Sequence, residues 1–401
     1  MSLSSPATSA GSPSTQRALA CRPLAFDAIP RAAWQRLVAL TPAATPFSRW
    51  TVHRAWWDAY GETAHDQYLV AVAADAPAGA ERDEAQLRAI VPLMHRHAVE
   101  PQDATTATHL RHHTRPLFGT AVTPEAKAIY FGAAYHTDYA TPLAAAADLP
   151  ALADALADSL AGPPDLAHGS QPWDVVDLRR LRADDPALPA LERAFRERAA
   201  DEGWRVTRER EDVCPVVSAP DGSWDDYLAT LGKKARHEIR RKWRRAEAAG
   251  GLEVRVGPPS PAELARFIEL HQARFGDDGL FPATEGGARS RRFVERLAEL
   301  EAAEPDGGQL HLAQVMCGGR LLFAALAFDD GTTCFLYNAG MDPHASALSP
   351  GIVGTAAYLR ERLEHGCRRF DFLRGDEPYK YEWGARDEVI ERLLIEREAA
   401  P

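Results

Sequence analysis

Apolar and polar residues alternate along this chain with two different periods, and the switches between them outline its elements. RAAWQRLVAL (31–40) and SRWTVHRAWWDAY (48–60) space their apolar residues three and four apart, which makes one face of a helix apolar. QYLVAVAAD (67–75) and LRAIVPLMHRH (87–97) are strand-like runs with polar APAGAERDEAQ as the turn between them. CRPLAFDAI (21–29) and HTDYATPL (136–143) read as two more strands. ADLPALADALADSLAG is a helix ended by GPP, WDVVDLRRL a strand, and PALPALERAFRERAADEG a helix closed by Gly203.

The theme then restarts. DVCPVVSA is a strand, WDDYLATL and the basic run after it are helices, LEVRVG is a strand, and PAELARFIELHQARF and RSRRFVERLAELEAAE are helices. QLHLAQVMCG, RLLFAALAFDD and TTCFLYNAG follow as an antiparallel meander with GG and DDG at its turns. PGIVGTAAYLRERLEHG is a helix, and RRFDFL and EVIERLLIERE are closing strands. Helix, helix, meander, helix, strand, strand is clear in the second half and fainter in the first. This predicts two related α+β domains joined near residues 200 to 212.

At 401 residues, 45% hydrophobic and 26% charged, the chain has ordinary globular composition and room for two cores. Its net charge of -11 excludes nucleic-acid binding through general basicity. Residues 1–17, rich in Ser, Ala, Pro and Thr, read as a disordered tail rather than a signal peptide. No apolar run is long enough to span a membrane. Five scattered cysteines without C-x-x-C spacing suit reduced thiols in the cytoplasm. His95, His97, His112 and His113 lack a third ligand at a recognisable spacing, so no metal is expected.

One segment departs from the acidic average. LGKKARHEIRRKWRRAEAAGG (231–251) sets Lys233, Lys234, Arg236, Arg240, Arg241, Lys242, Arg244 and Arg245 around a narrow apolar stripe of Ala235, Ile239 and Trp243. Such a run is either a solvated, salt-bridged helix or a local anion site. Lys233 and Lys234 stand near the helix start, where backbone N–H groups and the helix dipole favour anions. Ser349, Pro350 and Gly351 form a second helix start, with Ser349 as N-cap and Gly351 open to close approach. No G-x-G-x-x-G or Walker lysine motif is present. In RRFDFLRGDEPYKYEWG (368–384), Asp371 alternates with Phe370 and Phe372, and Arg374, Asp376, Tyr379 and Lys380 follow the strand end, where catalytic groups gather.

YLATLGKKARHEIRRKWRR, LHQARF, LSPG and FDFLRGDEPYKYEW together resemble the acetyltransferase domain of the FemAB-like and cellulose-biosynthesis CelD-like branch of the GNAT superfamily, over roughly residues 225 to 384. PFSRWTVHRAWWDAYG, AIVPLMHRH and DYATPL resemble the partner domain. The resemblance implies tandem GNAT-like domains, each a mixed central sheet flanked by helices: a degenerate one at 18–204 and an acetyltransferase domain at 205–401. It implies acyl transfer from acetyl-CoA or another acyl-CoA to an amine or hydroxyl of a cell-envelope or exopolysaccharide precursor, with no metal. An aminoacyl-tRNA donor and a non-catalytic protein assisting polysaccharide assembly stay open, because the family's Q/R-x-x-G-x-G/A pyrophosphate loop is not cleanly present before Gly351. Expected partners are a small-molecule or glycan-precursor acceptor and tRNA, with no DNA. Asp371 and Asp376 are the base candidates, Asp376 nearer the loop and Asp371 the more structural of the two, and Tyr379 donates a proton or stacks; by resemblance, Lys380 stabilises negative charge in the transition state or holds a donor phosphate. Ser349, Gly351 and Ile352 would meet the cofactor. Arg374, Tyr337, Arg274, Lys233, Lys234 and Arg236 would meet substrate.

Overall fold

The structure, a computed structural model, describes residues 18–96, 122, 126–164, 172–221 and 223–397. The first half runs β1 (Leu19–Pro23), α1 (Arg31–Leu40), α2 (Trp50–Tyr60), β2 (His65–Asp66), β3 (Leu69–Ala73), β4 (Ala89–Val91), β5 (Leu93–Arg96), β6 (Ala128–Phe131) and β7 (Leu143–Ala144). It continues through α3 (Leu149–Ala161), β8 (Val175–Arg182), α4 (Ala187–Glu202) and β9 (Trp204–Ser218). The second half begins with α5 (Trp224–Thr230), α6 (Lys233–Ala248), β10 (Leu252–Gly257), α7 (Pro261–Phe275) and α8 (Glu285–Ala302). The meander β11 (Leu310–Cys317), β12 (Arg320–Asp329) and β13 (Thr333–Met341) leads to α9 (Pro350–Glu364), β14 (Arg369–Asp371), α10 (Pro378–Glu382) and β15 (Arg386–Arg397).

Local chemistry starts these helices where the periodicity expects them. Ser223 with Asp226, and Ser260 with Glu263, form reciprocal capping boxes at α5 and α7, each satisfying backbone donors that the first turn leaves open. In β12, alternate residues face opposite ways. Ala324, Leu326 and Phe328 pack with Phe267, Phe293 and Leu297 of α7 and α8, whereas Phe323, Ala325 and Ala327 pack with Tyr358 of α9 and Trp383 after α10. Gly340 on β13 makes the first of these contacts close, since a Cβ there would lie 2.7 Å from the backbone nitrogen of His271.

The two halves exchange strands. β9, continuing from the first half, pairs with β14, while β15, the last strand, returns between β9 and β8. The result is one sheet of eleven strands, ordered β10-β11-β12-β13-β14-β9-β15-β8-β6-β5-β2, beside a four-stranded sheet β1-β3-β4-β7. Where β15 crosses β8, the buried Arg392 guanidinium donates to both oxygens of Asp177 at 2.6 and 2.9 Å. A helix seam adds to this junction: Arg296 of α8 reaches Asp58 of α2 at 2.8 Å.

Several expected elements differ. β1 stops at Pro23 and a 3-10 turn follows, because proline cannot donate to the ladder. DVCPVVSA is the buried end of a strand of 15 residues whose polar first part is tied to β15 by pairs such as Arg205 with Glu396 at 2.7 Å. HTDYATPL is a loop apart from Leu143, and AIYF before it is the strand β6. The expected tail lies outside the described residues, as do His97, His112 and His113.

Candidate active site

The site begins where two parallel strands part. β13 and β14 are paired at Thr333 with Arg369, Cys334 with Phe370 and Phe335 with Asp371, and there the ladder ends. β13 runs on to Met341, whereas the chain beyond β14 turns toward β9, with Phe372 N donating to Pro215 O and Gly375 N to Val213 O, both at 3.0 Å. Just past the last pair the register of β13 against β12 skips Tyr337: Leu326 faces Asn338 and Ala327 faces Leu336. This bulge re-aims the strand at the mouth of the opening.

The loop leaving β14 is held from within. Leu373 takes a left-handed backbone (φ 56) and so does Gly375 (φ 104). Lys380, on α10, is 2% exposed, and its Nζ donates to the carbonyls of Leu373, Arg374 and Gly375 at 3.0, 2.9 and 2.9 Å, with Glu377 Oε2 also at 2.9 Å. Burial pulls its pKa down, Glu377 and Tyr379 more than offset this, and the group stays charged. An ammonium has three protons, and these acceptors occupy all of them. In this geometry Lys380 clamps the loop, and the expected oxyanion role would have to displace one of these acceptors. Both carboxylate oxygens of Asp371 are engaged in the same way. Its Oδ2 accepts from Tyr139 OH at 2.6 Å and its Oδ1 from Leu373 N at 2.8 Å, while burial pushes its pKa up to about 6. Asp376 lies buried in the same loop.

Tyr379 and Arg274 approach the opening from opposite faces of the sheet. Tyr379, 47% exposed, sets its ring edge-on to Phe372 at 6.3 Å. Arg274 ends α7, its guanidinium 4.3 Å above the Phe275 ring. Burial raises the Tyr379 pKa, Lys380 lowers it, Glu377 raises it and Arg274 lowers it, so the hydroxyl keeps its proton at neutral pH while sensing the Arg274 charge across the gap. Arg374 pairs with Asp138 of the first half at 3.2 Å, and Tyr337 OH shares a 2.8 Å hydrogen bond with His136 Nδ1. His271 packs between Phe275 and Phe281, and burial lowers its pKa to about 4.

On the other face, α9 starts beside the basic helix. Ser349 occupies the N-cap position in a left-handed conformation, and its side chain makes no capping bond. Its Oγ accepts instead from Arg245 Nη2 at 3.0 Å, so Ser349 holds the expected N-cap position without a capping bond and a cation stands at this helix start. Gly351 faces Met341, whose methyl would lie 3.0 Å from an added Cβ. Ile352 lines a cavity of about 600 Å³ together with Lys234, Lys242, Tyr381 and Trp383. Three motifs distant in sequence thus meet there. Lys233 and Arg236 line a larger cavity of about 1020 Å³ on the outer side of α6, floored by Trp224 and Trp243. Part of the run is neutralised, Arg240 by Asp225 and Arg241 by Glu238, each at 2.8 Å. Among the described residues no group of three or more His, Cys, Asp or Glu could hold a metal, and no helix is long and apolar enough to cross a membrane. His95 Nε2 is bonded to Pro172 O at 2.9 Å.

The residues that sequence reasoning missed are His136, Asp138 and Tyr139, whose stretch reads as a strand until its contacts with the other half are seen. Lys242 and Arg245 lie in the basic run, but periodicity alone does not say that Lys242 lines the cavity beside Ile352 or that Arg245 reaches Ser349.

Parting parallel strands beside a helix start, in a sheet built from two strand-exchanging halves, define an acyltransferase-like fold. The Acetyltransferase (GNAT) domain profile matches residues 233–381. The crystal structure of FemX superposes with a TM-score of 0.53 at 12% identity, covering 90% of this chain and 96% of that one. A conserved protein of unknown function from Bacteroides thetaiotaomicron gives 0.51 at 12% identity, with 92% and 98% covered. Residues 233–381 thus match a GNAT acetyltransferase domain, and the chain as a whole shares with FemX a fold of tandem GNAT-like domains of α+β architecture. A separate likeness, 30% identity over 152 residues (34% of this chain, 90% of the other), is to a protein of Anaeromyxobacter sp. (strain K) named arginine repressor. It spans about a third of this chain, whereas the likeness of fold to FemX runs through both strand-exchanging halves.

Proposed function

We propose that the protein is an N-acyltransferase that carries an acyl group from acyl-CoA to an amine, or a hydroxyl, of a cell-envelope or exopolysaccharide precursor in the cytoplasm. The observation that carries this reading is the opening between β13 and β14, with Tyr379 and Arg274 at its mouth and the Ile352, Lys234 and Lys242 cavity on the α9 side. The pyrophosphate of the donor would sit against Lys234, Lys242, Arg245 and the Gly351–Ile352 turn, where cations and a helix start favour phosphate. Its acyl arm would then pass toward the bulge at Tyr337.

In the reaction the acceptor nitrogen attacks the thioester carbonyl, a C–N bond forms, the C–S bond breaks, and CoA leaves as the thiol. Tyr379, exposed and protonated, supplies the proton to the departing sulfur, and Asp376, the loop carboxylate not engaged by Tyr139, takes the proton that the amine gives up. Arg274 steadies negative charge as it develops across the gap. Arg374, held by Asp138, lines the acceptor side.

A second reading, an aminoacyl-tRNA donor, is favoured by the outer cavity on α6, where Lys233, Lys234 and Arg236 surround two tryptophans suited to stacking. Thermal unfolding with acetyl-CoA, longer acyl-CoAs and free CoA distinguishes the two. A native-state ligand at a hundred times its Kd adds about 2.7 kcal/mol to stability. The acyl-CoA reading expects a saturable shift that Gly351→Trp abolishes. No shift with any CoA, combined with salt-sensitive binding of aminoacyl-tRNA, would replace it with the second.

A further inference from the structure

The loop between β6 and β7, residues 132–142, belongs to the first half, yet three of its side chains each grip a different part of the opening in the second. His136 Nδ1 meets the hydroxyl of Tyr337, the residue bulged out of β13, at 2.8 Å. Asp138 pairs with Arg374 in the loop beyond β14 at 3.2 Å. Tyr139 donates to Asp371, the last paired residue of β14, at 2.6 Å. Both walls of the opening are therefore tied to one segment.

That segment is itself over-determined. Ala133 and Tyr135 hold positive φ angles of 60 and 76, conformations that persist only where surroundings enforce them. His136 stacks on Phe293 of α8 at 4.1 Å, and its Nε2 meets Tyr60 OH at 2.8 Å, which in turn meets Ser290 Oγ at 2.9 Å. Arg180, also left-handed with a φ of 68, donates from its side chain to the carbonyl of Thr137, while its own carbonyl accepts from Ala140 N at 2.9 Å. The loop is thus anchored to α2, α8 and β8 before it reaches the site.

We infer that His136, Asp138 and Tyr139 are positioning residues, and that the degenerate first half fixes the width of the opening between β13 and the loop beyond β14. The inference rests on the reading of that opening as the acyl-transfer site. It gives the first half a task in a reaction whose reacting atoms it does not touch. It also explains how the half that lacks the tyrosine–lysine pair of the second, reading VVDLRRLRADDP at that place, still contributes to one working site.

Tyr139→Phe removes one oxygen and Asp138→Asn one charge, each with little change of volume. In the ligand-free full chain, hydrogen exchange of residues 336–341 and 372–377 is expected to quicken about fivefold or more in both variants, while 310–317 and 204–212 exchange as in the wild type. Asp138→Glu should return part of the protection. Unchanged exchange in both segments would overturn the inference, and so would equal acceleration across the whole sheet, which marks general destabilisation. Acetyl-CoA affinity measured in parallel separates the two claims. A severalfold loss in both variants agrees with positioning of the donor site, and a wild type that binds no acyl-CoA contradicts the acyl-transfer reading while exchange alone decides the positioning.

Discussion

Replacing Lys380 by methionine separates a structural lysine from a catalytic one. The change keeps the length of the side chain and removes the ammonium, so the carbonyls of Leu373, Arg374 and Gly375 lose three charge-assisted hydrogen bonds in a nearly closed site. Each such bond contributes about 1.5–3 kcal/mol net, but removing the ammonium also removes the cost of burying it. Weighing the two, the loss should fall at about 3–5 kcal/mol, the range seen when one partner of a buried charged set is deleted. In urea titration this is a fall in midpoint of about 1–1.7 M for a slope near 3 kcal/mol per molar. Lys380→Arg should recover little, since a planar guanidinium cannot direct three donors at three carbonyls that converge on one point. An oxyanion role predicts the opposite pattern, a turnover loss of about a hundredfold with the urea midpoint unchanged. That pattern would refute the clamp.

Two further outcomes follow from buried charge. Asp177→Ala takes the two-point carboxylate from buried Arg392 and leaves it Glu209 at 3.5 Å, which should cost about 3 kcal/mol in urea unfolding, whereas an equal loss from Arg205→Ala at the exposed end of β9 would contradict this ranking. Burial pushes the pKa of Asp212 up from 3.8 to about 7, with Glu211 and Asp138 raising it further and Val213 N and Arg374 opposing. Between those values the folded chain holds a proton that the unfolded chain has released, so this group disfavours folding as pH rises from about 4 to 7, by about 1.4 kcal/mol per unit. Asp212→Asn should therefore gain stability relative to wild type at pH 7 more than at pH 5, and an equal difference at both would remove Asp212 as the source.

What could be read from the chain divides by the range of the interactions. The meander was legible because GG and DDG turns join runs adjacent in sequence, and α9 because Pro350 and its apolar spacing act locally. The full length of β9 was not: its polar first part, WRVTRERED, has no strand alternation of its own and is ordered by pairing with β15, almost two hundred residues on. Strand exchange was hidden for the same reason, since a strand's partner is set by tertiary packing. HTDYATPL misled because its polar groups are satisfied by Tyr337, Arg374 and Asp371 in the other half, so burial there does not mean sheet. Tyr379 and Lys380 are neighbours in sequence with opposite fates, one 47% and the other 2% exposed, and the short helix α10 alone decides which faces the opening.

The central claim is that acyl-CoA enters the opening between β13 and the loop beyond β14 from the α9 side. Calorimetric titration of acetyl-CoA into the full chain, into Gly351→Trp and into Lys242→Glu tests it most directly. Binding of one molecule per chain, abolished by the first substitution and weakened by the second, is the expected result. Binding that survives both substitutions unchanged would contradict it.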